Sequence, residues 1–254
     1  MKIEPNNIYL GDCLEVMKYI PDKSIDMILA DLPYGTTACK WDTIIPFEPL
    51  WEQYNRIIKD NGAIVLFGSQ PFSSCLVNSN ICNFRYELIW VKERPTNPLL
   101  CKKQFPKYHE NILVFYKKQP LFNPQYNKRK EANKRNNKER VYSDKTKTTT
   151  NKYAEMVLSG ANDYIYQSNI INISMERGLH PTQKPVKLCE LLIKTYTNEY
   201  DTVLDNCMGS GSTIVACINT NRKYIGIEKE LKYFEIAKKR IESVTAVQME
   251  LKGV

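Results

Sequence analysis

The sequence predicts an α/β fold with a largely parallel sheet, on three observations. Short β-rich runs alternate with helical patterns through the first third of the chain. A second βαβ unit closes it. Between the two lies a stretch rich in Lys, Arg, Asn and Thr, whose first half holds no apolar periodicity. The chain has 254 residues, 43% of them hydrophobic, enough to bury one substantial core; one domain carrying an insertion is favoured over two small domains.

The elements follow in order. Ile8 to Leu10 reads as a strand, Cys13 to Ile20 as a helix, and Ile25 to Ala30 as a strand running into a loop at Asp31. A helical stretch from Pro49 to Lys59 leads through the turn Asp60-Asn61-Gly62 to a buried strand, Ala63 to Phe67. Strands are expected at Tyr86 to Val91 and at Ile112 to Tyr116. From about Lys117 to Met175 the pattern breaks into basic runs, Asn127-Lys128-Arg129-Lys130 and Lys134 to Arg140, with tyrosines interspersed. Regular structure resumes in a helix whose residues Leu188, Leu191, Leu192, Thr195 and Tyr196 recur at helical spacing. Thr202 to Leu204 is then a strand ending at Asp205, Thr213 to Asn219 a helix, and Tyr224 to Ile227 a strand ending at Glu228. A last helix carries Leu231, Phe234, Ala237 and Ile241 on one face, and no internal repeat is visible.

Composition narrows the function classes. A formal charge of +8 points to a polyanionic partner. No apolar run approaches the roughly 20 residues that span a bilayer, and Met1-Lys2-Ile3-Glu4-Pro5 lacks the core of a signal peptide, so a cytoplasmic protein with no membrane partner is expected. The eight cysteines (13, 39, 75, 82, 101, 189, 207 and 217) form no Cys-x-x-Cys, and His109 and His180 are the only histidines. Reduced packing thiols and no metal site are the reading.

Two constellations carry chemistry. Asp205-Asn206-Cys207-Met208-Gly209-Ser210-Gly211-Ser212-Thr213 joins a strand to a helix, and Gly209 and Gly211 let its backbone turn tightly against a ligand. About twenty residues on, Glu228 ends the next strand, where a carboxylate can accept both hydroxyls of a ribose. The third glycine of the dinucleotide fingerprint is missing, which points to a nucleoside without phosphates; S-adenosylmethionine is one. The second constellation, Asp31-Leu32-Pro33-Tyr34-Gly35, directly follows a strand. An exocyclic base amine is a poor nucleophile, and Asp31 with the Leu32 carbonyl could accept its N–H groups as the nitrogen becomes tetrahedral. Pro33 withholds a competing donor, and Tyr34 offers a face on which an extruded base can stack.

Asp31-Leu32-Pro33-Tyr34 resembles the Asp/Asn/Ser-Pro-Pro-Tyr signature of DNA amino-methyltransferases, and Asp205 to Thr213 resembles their cofactor loop. His180-Pro181-Thr182-Gln183-Lys184-Pro185 matches a third motif, and the order of the three resembles the β group of this family. The resemblance covers about Ile8 to Ile241 outside the variable region. It implies a Rossmann-like S-adenosylmethionine-dependent methyltransferase fold, with a mixed, mostly parallel seven-stranded sheet and helices on both faces. It implies a catalytic half over residues 1–116, an inserted target recognition region over 117–178 and a cofactor-binding half over 179–254. Carried over, it assigns Asp31, Leu32, Pro33 and Tyr34 to catalysis. Asp12, Asp31, Thr182, Lys184, Pro185, Asp205, Gly209, Gly211, Ser212, Thr213 and Glu228 are assigned to the cofactor. Asp12 with Glu15 also reads as a helix capping box. Leu32 replaces the family's first proline, and Asn206 and Cys207 replace Pro and Phe.

The implied activity is site-specific methylation of adenine N6 in a base flipped from double-stranded DNA. Adenine is favoured over cytosine N4 because position 31 is Asp where the N4 enzymes have Ser. No cysteine sits in the Pro-Cys context of cytosine-C5 enzymes. Cytosine-N4 and RNA amino-methyltransferases and a catalytically silent DNA-binding protein are the rival readings. Enzymes of this group often pair, so a homodimer and a cognate restriction endonuclease join DNA as partners to consider. His109-Glu110 and Trp90-Val91-Lys92-Glu93-Arg94 lie near the family's base pocket but read more simply as structural, and stay outside the catalytic set.

Overall fold

The computed structural model describes residues 2–36, 42–128, 164–176 and 183–252, with side chains through residue 248. The chain divides into two compact units, one of Met1–Asn123 with Asn169–Val254 and a small one of Pro124–Ser168. In the larger unit the strands are β1 (Asn7–Leu10), β2 (Ile25–Ala30), β3 (Ile58–Gly68), β4 (Phe84–Val91), β5 (His109–Phe115), β8 (Ile170–Asn172), β9 (Thr202–Asp205) and β10 (Lys223–Glu228). The helices are α1 (Cys13–Met17), α2 (Phe47–Ile57), α3 (Phe72–Ser79), α4 (Val186–Tyr196), α5 (Ser212–Asn219) and α6 (Leu231–Lys252). The smaller unit holds β6 (Tyr126–Lys128) and β7 (Tyr164–Tyr166), an antiparallel pair with Tyr126 opposite Tyr166.

The sheet runs β1-β10-β9-β2-β3-β5-β4-β8; β5 is antiparallel to both neighbours and every other pairing is parallel. This is the expected mixed, mostly parallel sheet, with eight strands where seven were expected. The addition is β8, which pairs with β4 and seats the buried Ile171 in the same core cluster as Trp90, whose indole N–H donates to the Ile173 carbonyl at 2.8 Å.

Side-chain alternation puts helices on both faces. Ile28, Ala30, Ile64, Leu66, Leu113 and Phe115 pack with α1, α2 and α3. Their sequence neighbours Met27, Leu29, Ala63, Val65, Ile112 and Val114 pack with α4 and α5. Each such aliphatic side chain, fully withdrawn from water, contributes roughly 1.5–3 kcal/mol before entropy is counted. The helix between β2 and β3 thus lies on one face and the helix between β9 and β10 on the other. The two halves of the chain meet where β2 pairs with β9, a topological switch point, and ligands bind outside the carboxyl ends of strands at such a point.

Two local expectations are corrected. The turn at Asp60-Asn61-Gly62 is instead an irregularity within β3: Ile25 faces Ile58 but Met27 faces Ala63, so four residues of β3 stand opposite Asp26 alone. Asp26 stabilises the bulge by accepting from Lys59 Nζ at 2.6 Å. At Gly62 a Cβ would stand 2.8 Å from the Asp26 carbonyl, so only glycine fits. The capping box is half made: Asp12 accepts from Leu14 N at 3.0 Å, while Glu15 holds Lys18 at 2.8 Å.

Candidate active site

The parallel strands deliver three carboxylates to one edge of the sheet: Glu228 ends β10, Asp205 ends β9 and Asp31 directly follows β2. Gly11 and Asp12, just beyond β1, join them around a cavity of about 250 Å³. Of the catalytic and cofactor residues expected from the sequence, Asp12, Asp31, Leu32, Pro33, Tyr34, Lys184, Asp205, Gly209, Ser212, Thr213 and Glu228 line this cavity. Pro185 and Gly211 do not line it; Pro185 is the N-cap of α4 and Gly211 that of α5. Thr182, with His180 and Pro181, lies outside the described residues, as does most of the expected target recognition region.

The glycine loop is held by its own carboxylates. Glu228 accepts from Gly209 N and from Glu230 N, both at 2.8 Å, and Asp205 accepts from Cys207 N at 3.1 Å. Met208 N donates to the Ile227 carbonyl at 3.0 Å and Gly211 N to that of Met208 at 2.8 Å. Four N–H groups of this loop are therefore committed within the protein. Gly209 and Gly211 have φ of 50° and 77°, the left-handed region that favours glycine. Burial pushes the Asp205 carboxyl up to about 7 against the Thr213 hydroxyl and the Cys207 N–H, which favour its anion. Burial likewise raises Glu228, opposed by its backbone donors. Cys207, which stands where the family has an aromatic residue, lines the cavity, and its sulfur accepts from Asn206 Nδ2 at 3.5 Å.

Across the cavity the Asp31 carboxylate is fixed from two sides. Tyr34 Oη donates to one oxygen at 2.7 Å, and Lys184 Nζ donates to the other. Tyr34 stacks on Phe72 with centroids 4.9 Å apart and planes 24° from parallel. Leu32 packs its side chain into the core, and Asp42 secures the loop by accepting from Gly35 N at 2.8 Å and Thr36 N at 2.9 Å. Lys184, only 7% exposed, also faces Glu110 at 3.4 Å, an ion pair without hydrogen-bond geometry, and Glu110 accepts from Lys92. Lys92, Glu110, Lys184 and Asp31 thus form a largely buried chain of alternating charge. Burial raises the Asp31 carboxyl, Lys184 pulls it down, and the Glu110 charge adds to the rise. Burial opposes the Lys184 ammonium, but Asp31 and Glu110 outweigh it and hold its pKa above the ordinary lysine value.

Sequence reasoning set Glu110 and Lys92 aside. The structure brings Glu110 to the cavity and leaves His109 exposed. The signal was there in the strand: residues 110, 112 and 114 share one face, and a carboxylate in line with Ile112 and Val114 must be buried and therefore paired. Asp42 gave no such signal.

The sheet order and this cleft define a Rossmann-like methyltransferase. The chain matches the model of the DNA methylase family over residues 25–239 and belongs to that family. It is 28% identical over 260 residues to the DNA adenine methyltransferase YhdJ of Escherichia coli, covering 94% of this chain and 83% of that one. It is similar to the crystal structure of M1.HpyAVI in complex with SAM, with a TM-score of 0.62, 28% identity, and coverage of 92% of this chain and 98% of that one. The PvuII DNA methyltransferase, described as cytosine-N4-specific, shares the fold with a TM-score of 0.66 at 16% identity, over 100% of this chain and 95% of that one.

Proposed function

We propose that the chain is a site-specific DNA methyltransferase that transfers a methyl group from S-adenosylmethionine to N6 of an adenine extruded from the duplex. The observation that carries this reading is the Asp31 carboxylate, fixed between the Tyr34 hydroxyl and the Lys184 ammonium, on the cavity that Glu228 and the glycine loop line from the other half of the chain. The cavity suits a cationic nucleoside. Carboxylates outnumber ammonium groups among its lining residues, which disfavours a phosphate-bearing ligand. Glu228 would take the ribose hydroxyls, Asp12 the adenine end, and Lys184 with Thr182 would border the methionine end. When bound, the cofactor supplies an electrophilic methyl group on a sulfonium.

The protein's own residues then act on the amine. Asp31 and the Leu32 carbonyl accept its N–H groups and draw its lone pair toward attack, and Asp31 takes the proton the methylated amine sheds. A carboxyl whose affinity for protons is raised by burial suits that last step. Tyr34, backed by Phe72, presents its other face to the base. No covalent intermediate with the protein is required. Adenine is favoured by Asp at position 31 and by the likeness to an adenine enzyme. The basic stretch within residues 117–178 reads the target sequence, in the cytoplasm, with a second copy of the chain and a cognate endonuclease as further partners. Asp31→Asn keeps the shape of the loop and removes the acceptor charge. It is expected to bind cofactor normally and to lose methylation about 100-fold or more, read as labelled methyl incorporated into DNA. Undiminished methylation by this variant would show that the site lies elsewhere.

A further inference from the structure

The chain between β4 and β5, residues 92–108, leaves and re-enters the sheet at the active-site edge. Its two feet are in the buried charge chain, Lys92 on one side and Glu110 just past the other. Lys107 Nζ donates to Ser69 Oγ, two residues beyond Phe67 of the cavity wall. The excursion has its own structure. Thr96 N donates to the Lys107 carbonyl at 2.9 Å, Lys107 N to Asn97 Oδ1 at 2.6 Å, and a single 3₁₀ turn, Pro98–Leu100, is extended by Lys103 N to the Leu100 carbonyl at 2.8 Å. This scaffold presents its largest apolar side chains to water: Leu99 is 96% exposed and Phe105 95%. The same segment carries exposed Arg94, Lys102 and Lys103, and from residue 93 to 107 the only carboxylate is Glu93.

Exposed apolar side chains on a hydrogen-bonded, cation-rich loop that springs from the edge of a base-modifying site are suited to one kind of surface. We propose that this loop is a wedge for duplex DNA, in which Leu99 and Phe105 enter the base stack and fill the gap left by the extruded base. Arg94, Lys102 and Lys103 take the flanking phosphates. The inference rests on the base-extrusion reading above and adds to it the residues that stabilise the opened duplex. Side chains inserted between base steps offset part of the cost of unstacking, so their value vanishes when the target is already unpaired. A second copy of this basic chain would be repelled by so one-sided a charge.

The test uses the full chain, S-adenosylmethionine and a duplex carrying the methylated sequence, identified by sequencing modified bases in DNA from cells expressing the protein. Two duplexes are compared, one with the target base paired and one with it opposite an abasic position. Leu99→Ala/Phe105→Ala, a change at two exposed positions, is expected to lose about tenfold or more in kcat/KM on the paired duplex and to recover to within about twofold of the unaltered protein on the unpaired one. Equal losses on both duplexes, or none on the paired one, would overturn the wedge. So would a changed oligomeric state with unchanged discrimination between the duplexes, which would assign the loop to a protein contact. Asp31→Asn, run alongside, is expected to be inactive on both; activity there would instead count against the catalytic site and leave the wedge comparison to be read by itself.

Discussion

At the scale of single residues, the arrangement turns on how the partly buried Asp31 carboxylate is kept both ionised and basic. In the proposed mechanism Asp31 is an anion that accepts the amine's protons, so methylation is expected to fall as pH drops through its pKa. Burial and the Glu110 charge lift that pKa, while Lys184 lowers it. Because Glu110 shares Lys184 with Asp31, Glu110→Gln removes one lift and leaves Lys184 to Asp31 alone, and both changes act in the same direction. The acidic limb of kcat is therefore expected to move to lower pH, with KM for DNA little altered. A limb that stays in place, or moves up, would contradict the coupling. Asp31, Tyr34 and Glu228 were legible in the sequence because each sits in a motif beside a strand end. The burial of Glu110 was legible in its strand, but its partners were not, because pairing with Lys92 depends on β4 and β5 lying side by side and pairing with Lys184 on a residue 74 positions further on.

At the scale of elements, the glycine loop sets how closely α5 and α6 approach the end of β9. Gly211 has φ of 77°, and a Cβ there would stand 3.2 Å from the Ala237 Cβ on α6. Gly211→Ala must either shift α6 or unwind the turn, at a cost of about 1–3 kcal/mol. Cofactor affinity is expected to fall about tenfold, together with a lower melting temperature, by titration calorimetry and thermal unfolding; unchanged affinity would mean the loop does not shape the cofactor's seat. Elements with strong periodicity, β2 and α4 among them, were predicted nearly to their ends. The sequence reading missed α3, a short helix opening with Phe-Ser-Ser-Cys directly after Pro71, and β6, β7 and β8, three residues each. Their pairings come from partners distant in sequence rather than from local alternation, which β6 and β7, exposed throughout, do not bury.

At the scale of the whole molecule, the fold follows from runs of apolar residues that bury both faces of a parallel sheet, and the site follows from the switch point between the halves. The two motifs, 174 residues apart from Asp31 to Asp205, meet because β2 and β9 are neighbours in the sheet. That adjacency is a property of topology, readable from the sequence only through the family resemblance. The charge of +8 fits a DNA partner, and no helix among the described residues is long and apolar enough to cross a membrane. Methyl transfer to adenine N6 of DNA is read out by incubating the purified chain with methyl-labelled S-adenosylmethionine and unmethylated genomic DNA, then separating the nucleosides. The label is expected in N6-methyladenosine of the deoxy series; label found only in N4-methylcytosine, or DNA left unlabelled, would contradict it.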